Sequence, residues 1–191
     1  MLDLILSYFS RSTFITIFVL SWLSIYFIVT FTILISRYVG LSAWQHREAK
    51  ALESLLMGGR ISLSGSIFQK VNTEKISKEA LEIYKGKAER DSTSGLTWLS
   101  IVASTSPFIG LFGTVVSILH TFSKLGGGNS GIDTIAPAIS EALVATGCGI
   151  FVAIPAYTFS LLIKRKAYEV MSIINRTADI LLFKANTGKA I

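Results

Sequence analysis

Two threonines and one carboxylate carry most of the chemistry that the long apolar runs of this chain permit. Thr114 lies in "GLFGTVVS" and Thr146 in "ALVATGCG". A threonine hydroxyl donates one hydrogen bond and accepts two, so in an apolar medium it can hold a water or bind a carboxylate supplied by another chain. Glu141 is the one carboxylate within the segments expected to cross a membrane. At a bilayer centre such a group costs roughly 2.5–3.5 kcal/mol on insertion scales, so it must face protein or water, and a functional role is its first reading. A second reading puts Glu141 at the outer end of its helix, hydrated there and favoured by the dipole of a helix N-terminus. Glu141 and Thr146 are five residues apart, about 140° around a helix of 3.6 residues per turn. Both cannot point straight into one lumen.

Small residues surround the threonines. Ser106, Gly110, Gly113, Thr114, Ser117 and Thr121 follow one another at steps of three or four, and so do Ala142, Thr146, Gly149, Ala153, Ala156 and Ser160. Each set forms one face of a helix. Small faces let helix backbones approach closely in lipid, where no hydrophobic drive favours helix contact. Packing is one reading of these faces, with Gly110, Gly113, Gly149, Ala153 and Pro155 as the close-packing positions. The other has Thr114 and Thr146 lining a narrow polar lumen, and in an oligomer both can hold.

Other reactive groups contribute little. His46 lies among charges, His120 near the end of an apolar run, and the lone Cys148 inside another. No nucleophile–base pair, phosphate-binding glycine loop or paired metal-ligand spacing is present. The chain is expected not to be an enzyme, with no cofactor and no metal.

The elements that must position these residues follow from the charge pattern. Of 191 residues, 51% are hydrophobic and only 16% are charged, with a mean hydropathy of +0.58. Runs 12–36, 92–123 and 142–163 contain no Asp, Glu, Lys or Arg, and a helix needs about 20 apolar residues to span a bilayer. An all-α integral membrane protein with three transmembrane helices is the expected fold. The first run is too long for a signal-peptide core and has no basic flank before Arg11, so it reads as a retained helix. Ten Lys/Arg fall between Arg37 and Asp91 and six between Lys164 and Ile191, against Arg11 and Lys124 elsewhere. The positive-inside rule therefore puts the loop and the tail in the cytoplasm and the N-terminus outside. Anionic inner-leaflet lipid accounts for the net charge of +6 without nucleic acid.

The expected boundaries are an outer N-terminus 1–11, transmembrane helix 12–36, a cytoplasmic helical loop 37–95, transmembrane helix 96–122, an outer loop 123–133, transmembrane helix 134–163 and a cytoplasmic helical tail 164–191. Within the loop, 37–59 reads as helix ending at Gly58-Gly59, and "RISLSGS" as a turn. A second helix follows, with its apolar stripe at Ile76, Ala80, Ile83, Tyr84 and Ala88, running toward the second span with "DSTSG" only softening it. The tail repeats the pattern at Ala167, Val170, Met171, Ile174, Ala178, Leu181 and Leu182, an amphipathic continuation of the third span. The second and third helices are expected to extend into the cytoplasm, with loop and tail covering each other. A small-solute transporter would need broken helices at the midplane, for which Pro155 is the only candidate, so that reading is set aside; "KLGGGNSGID" is the one clear flexible loop.

Two blocks carry a family resemblance. "SPFIGLFGTVVSILHTF" (106–122) and "IAPAISEALVATGCGIFVAIPA" (135–156) resemble the "PFIGLFGTV" and "APGIAEALxATAxGLxxAIPA" patterns of the TolQ/ExbB/MotA proton-channel family, in its TolQ/ExbB branch. The resemblance covers about 50 residues. Gly147-Cys148 and Ser117 depart from it, and the cytoplasmic loop is short. "ILHTF" and the lack of an N-terminal extension lean toward the TolQ form.

The resemblance implies a multi-pass subunit of the bacterial inner membrane with a periplasmic N-terminus and a cytoplasmic C-terminus. It further implies a ring-shaped homo-oligomer, a pentamer, around two single-span helices of the TolR/ExbD type that carry the titrating aspartate, with a TolA- or TonB-like protein beyond. Thr114 and Thr146 match the lumen-lining threonines, Glu141 the acid of "EAL", with a role in assembly or proton uptake, and Pro155 the proline of "AIPA". The implied activity couples the proton-motive force to Tol-Pal-like envelope maintenance or TonB-dependent import. The alternative is a non-conducting membrane scaffold for a single-span partner.

Overall fold

A computed structural model of the chain describes residues 14–57, 64–70, 77–125 and 132–187, with the side chains of 70, 124–125 and 132–134 excepted. The described residues form four α-helices and one 3-10 turn: α1 (Phe14–Leu56), the turn Ile67–Lys70, α2 (Lys78–Thr93), α3 (Leu96–Leu125) and α4 (Ile132–Asn186). Phe14–Leu56, Lys78–Ser123 and Ile135–Asn186 each hold a stretch long and apolar enough to cross a membrane. The expected N-terminus 1–11, the Gly58-Gly59 stop and most of the "KLGGGNSGID" loop lie outside the described residues.

The chain divides into two compact units, Met1–Ile33 with Trp98–Ser160, and Leu34–Thr97 with Leu161–Ile191. In the first unit a core of Val19, Leu23, Val102, Ala145, Val152 and Ala156 joins α1, α3 and α4. Aromatic pairs add to it, with Phe27 stacked on Phe151 at 5.8 Å and Phe31 edge-on to Phe159 at 5.4 Å. The opposite side of α1 leaves Phe14, Phe18, Trp22 and Ile28 exposed. That surface is apolar enough to face lipid.

In the second unit, residues of α1, α2 and α4 bury Leu41, Ala51, Leu55, Leu81, Ala88, Ala167, Val170, Ile174, Ala178 and Leu181. Loop and tail thus cover each other. Lys184 Nζ donates to the Leu55 carbonyl at 2.9 Å, and Lys166 Nζ to Gln45 Oε1 at 2.8 Å. Lys166 and then Arg165 hold the Glu169 carboxyl below its usual range. Arg37 donates to the carbonyls of Asp91 and Ser92, where a cation complements the C-terminal end of α2.

Two expectations change. The stripe of α2 keeps Ala88, which is buried, and Tyr84, which packs on Phe68 at 6.2 Å, but its other buried members are Leu81 and Ser92, whereas Ile83 is exposed and Ile76 lies outside the described residues. Steps of three and four from Leu81 match the helical repeat, and Ile83 falls well outside that stripe. "DSTSG" also does more than soften the helix. Thr93 ends α2, Ser94 caps it in an extended conformation, and Gly95 takes φ 84° before α3 begins at Leu96. Pro155, the only candidate break, lies in unbroken helix. Pro107, Pro137 and Pro155 all lie inside continuous helices, since neighbouring side chains and helices can satisfy the carbonyls a proline frees.

Candidate functional site

The site grows from the crossing of α3 and α4. The two helices run antiparallel, with Ser106 near Gly149 and Thr114 near Ala142. At the crossing the backbones touch. A Cβ on Gly110 would come within 2.7 Å of the Ala145 carbonyl oxygen, and one on Gly149 within 2.6 Å of the Ser106 carbonyl oxygen. Side chains larger than hydrogen have no place there. Around the contact Ser106, Ser117, Ala142, Ala145, Val152, Ala156 and Ser160 are buried. Ser106 Oγ turns inward to its own Val102 carbonyl at 2.6 Å.

This seam forms within one chain, so the small faces find their partner without a second copy. Of the expected face of α4, Ala142, Gly149, Ala153, Ala156 and Ser160 are buried; Ala145 and Val152 widen the buried stripe toward α1, and Thr146 lies at its other margin. Gly113 faces Val19 and Ala145 at 3.2–3.3 Å from an added Cβ, which lets α1 close on the pair. Ala153 is buried and Pro155 half-buried.

Thr114 and Thr146 meet at the edge of the seam. Their hydroxyls hydrogen-bond one another. Thr114 Oγ1 is also 3.1 Å from the Ala142 carbonyl and 3.2 Å from its own Gly110 carbonyl, and Thr146 Oγ1 is 3.3 Å from the Gly110 carbonyl. Both residues are half-buried. On the wheel of α4, Thr146 stands about 100° from Ala145, the residue that packs with Val19 and Leu23 of α1. The pair therefore opens away from α1, among the exposed Leu111, Val115, Leu143 and Ile150.

Two hydroxyls share at most two protons among four carbonyl and hydroxyl acceptors here, so lone pairs remain for a further donor. Such a pair can bind a water or a protonated carboxyl group. It cannot itself exchange protons with the membrane potential, because neither hydroxyl ionises near neutral pH. Glu141 is half-buried one residue before Ala142, on a different face from Thr146, and so stands apart from the threonine pair.

One buried acid escaped the sequence reading. Glu48 on α1 is fully buried and accepts from Trp44 Nε1 at 2.9 Å, Ser66 Oγ at 2.7 Å and the Ile67 backbone N–H at 2.8 Å. It straps the 3-10 turn to α1. The signal was present, since Glu48 interrupts the buried stripe Leu41, Ala51, Leu55 at helical spacing.

A sequence model of the MotA/TolQ/ExbB proton channel family matches residues 47–176. A Helicobacter pylori protein named as an ExbB-like biopolymer transport protein is 42% identical over 188 residues, covering 96% of this chain and all of that protein. The Tol-Pal system protein TolQ of Haemophilus influenzae is 53% identical over 60 residues, 31% of this chain and 26% of its own length. The biopolymer transport protein ExbB of Neisseria gonorrhoeae is 52% identical over 63 residues, 32% of this chain and 29% of its own.

Proposed function

This chain belongs to the MotA/TolQ/ExbB proton channel family, and from that premise we propose that it is the proton-conducting stator subunit of an inner-membrane motor. It assembles as a ring, a pentamer, around two single-span TolR/ExbD-like helices that bring the titrating aspartate. The loop and tail face the cytoplasm and the N-terminus the periplasm. The near-full-length likeness to an ExbB-like biopolymer transport protein supports import energisation, with a TonB-like protein beyond, over Tol-Pal-like envelope maintenance.

The observation that carries this reading is the threonine pair. Thr114 and Thr146 bring two hydroxyls together in membrane-spanning helices, beside exposed apolar side chains, while Glu141 lies on another face of α4. That is a receptor for an acid from elsewhere. When the partner's carboxyl group is protonated it can donate to the pair; when ionised it can accept from it. Alternating between these states lets one carboxyl group change neighbours as a proton arrives and leaves. Glu141 is assigned to assembly or proton uptake.

The scaffold reading draws on the same bonds, since backbone carbonyls already engage both hydroxyls. Energetics separate the two. Interhelical hydrogen bonds in membranes average about 0.6 kcal/mol, so Thr114→Val and Thr146→Val should leave the fold and the ring intact. Proton flux through the assembled complex should fall at least tenfold in either variant. Unchanged flux in both, with the partner bound, would make the protein a scaffold.

A further inference from the structure

A second polar feature lies in the first unit. A cavity of about 540 Å³ opens between α3 and α4. Of its eight lining residues, Ser100, Ser104, Tyr157, Thr158 and Ser160 carry hydroxyls and Ala103, Ala153 and Ile154 do not, in segments otherwise apolar enough to span a membrane. Ser104, Thr158 and Ser160 each donate to a carbonyl of their own helix, at 3.1, 2.9 and 2.7 Å. Their protons are thereby committed inward, and oxygen lone pairs are left toward the cavity. Pro107 adds an acceptor, for it has no N–H to donate to the carbonyl four residues back, which belongs to Ala103. Neither packing nor lipid contact calls for this set. Alanine or leucine would fill the same positions at lower cost in hydrocarbon.

The position gives it a use. Ser100 follows the start of α3 by four residues, and Ser160 precedes Lys164 by four, so the cavity lies at the end of the spans that leads to the basic tail. Along α4, Tyr157 is eleven residues from Thr146, about 16 Å, and lies within about 20° of it on the wheel. Exposed Leu111 and Ile150 stand between, an apolar collar.

We propose that this cavity is a water-filled half-channel that carries protons between the cytoplasmic surface and the apolar collar that separates it from the threonine pair. The inference rests on the conducting reading given above. Each step moves one proton between neighbouring oxygens, water to water or water to hydroxyl; one O–H bond forms as another breaks, and nothing is oxidised or reduced. The collar keeps the half-channel from reaching the threonines continuously. A proton crosses the gap only on a carboxyl group that moves.

The test uses the assembled complex in inverted membrane vesicles, with Cys148→Ser as background. Ser104→Cys and Thr158→Cys should react with a membrane-impermeant, water-soluble thiol reagent at least tenfold faster than Phe108→Cys and Phe151→Cys, which are exposed but apolar in surroundings. Equal and slow labelling at all four would overturn the half-channel. In a parallel arm, combined Ser104→Ala, Tyr157→Phe and Thr158→Val should cut proton flux several-fold while the ring keeps its size. Flux unchanged there, yet lost in Thr114→Val, would overturn this inference and leave the threonine reading standing. Flux unchanged in both sets would overturn the two together.

Discussion

Gly110 and Gly149 cannot gain one carbon without moving a backbone. An added Cβ at Gly149 would stand 2.6 Å from the Ser106 carbonyl oxygen and 3.1 Å from Gly110 Cα, and neither atom is the end of a flexible side chain. Overpacking of this kind costs about 1–3 kcal/mol. Gly149→Ala should therefore lower the thermal midpoint of the detergent-solubilised protein. Gly147→Ala is the control, because nothing lies within 4 Å of its added Cβ. At this scale much was legible. Threonine among glycine and alanine in an apolar run marks a polar group that needs a partner, and the structure joins Thr114 to Thr146. Less legible was which residues centre the seam. Small residues occupy overlapping faces of α4, and only the position of α1 adds Ala145 and Val152 to the buried stripe. Tyr157 gives no signal in the sequence, because the cavity it lines is shared with Ser104 of another helix.

Among the elements, the α2–α3 junction turns on one backbone conformation. Gly95 holds φ 84°, a region that costs an L-residue about 1–2 kcal/mol. Gly95→Ala should destabilise the protein by about that much, and Gly95→Asn by less, since asparagine tolerates the left-handed region; thermal melts of the two variants measure the difference. The sequence reading missed the break because "DSTSG" sits between two helix-forming stretches, and glycine inside a helix and glycine after one look alike in composition. The place of Leu81 in the buried stripe of α2 was missed for a related reason. Ile83 is as apolar as Leu81, and the choice falls to Phe68 of the 3-10 turn, whose place is fixed by the Glu48 strap. By contrast, the tail stripe from Ala167 to Leu181 was plain, because it runs without glycine or proline.

For the whole molecule, charge and hydropathy decide the topology. Sixteen of 18 Lys/Arg fall in 37–91 and 164–191, and by the positive-inside rule this bias supports the proposed cytoplasmic placement of these segments. In a Cys148→Ser background, Ser123→Cys should react with an impermeant thiol reagent in intact spheroplasts, and Ser64→Cys only after permeabilisation. The reverse pattern would invert the direction of every proton step described. Three apolar runs and two short motifs were enough to reach the family, since an uncharged run long enough to span a bilayer is seldom anything but a membrane helix. The site needed coordinates, because hydroxyls on two antiparallel helices come together through the crossing geometry and not through spacing.

The bond from Lys184 to the Leu55 carbonyl bears on how the protein is made. It joins residues 129 apart in sequence, and a ribosome adding about 5–20 residues per second needs roughly 6–26 s to cover that distance. Throughout that interval Leu41, Ala51 and Leu55, buried in the finished protein, have no tail to cover them. The nascent chain thus leaves this helix uncovered until residues 167–184 have been made, and truncation before them leaves it uncovered for good. Ribosomes that stall before residue 167 would release a product that keeps its apolar runs but carries a permanent aggregation surface.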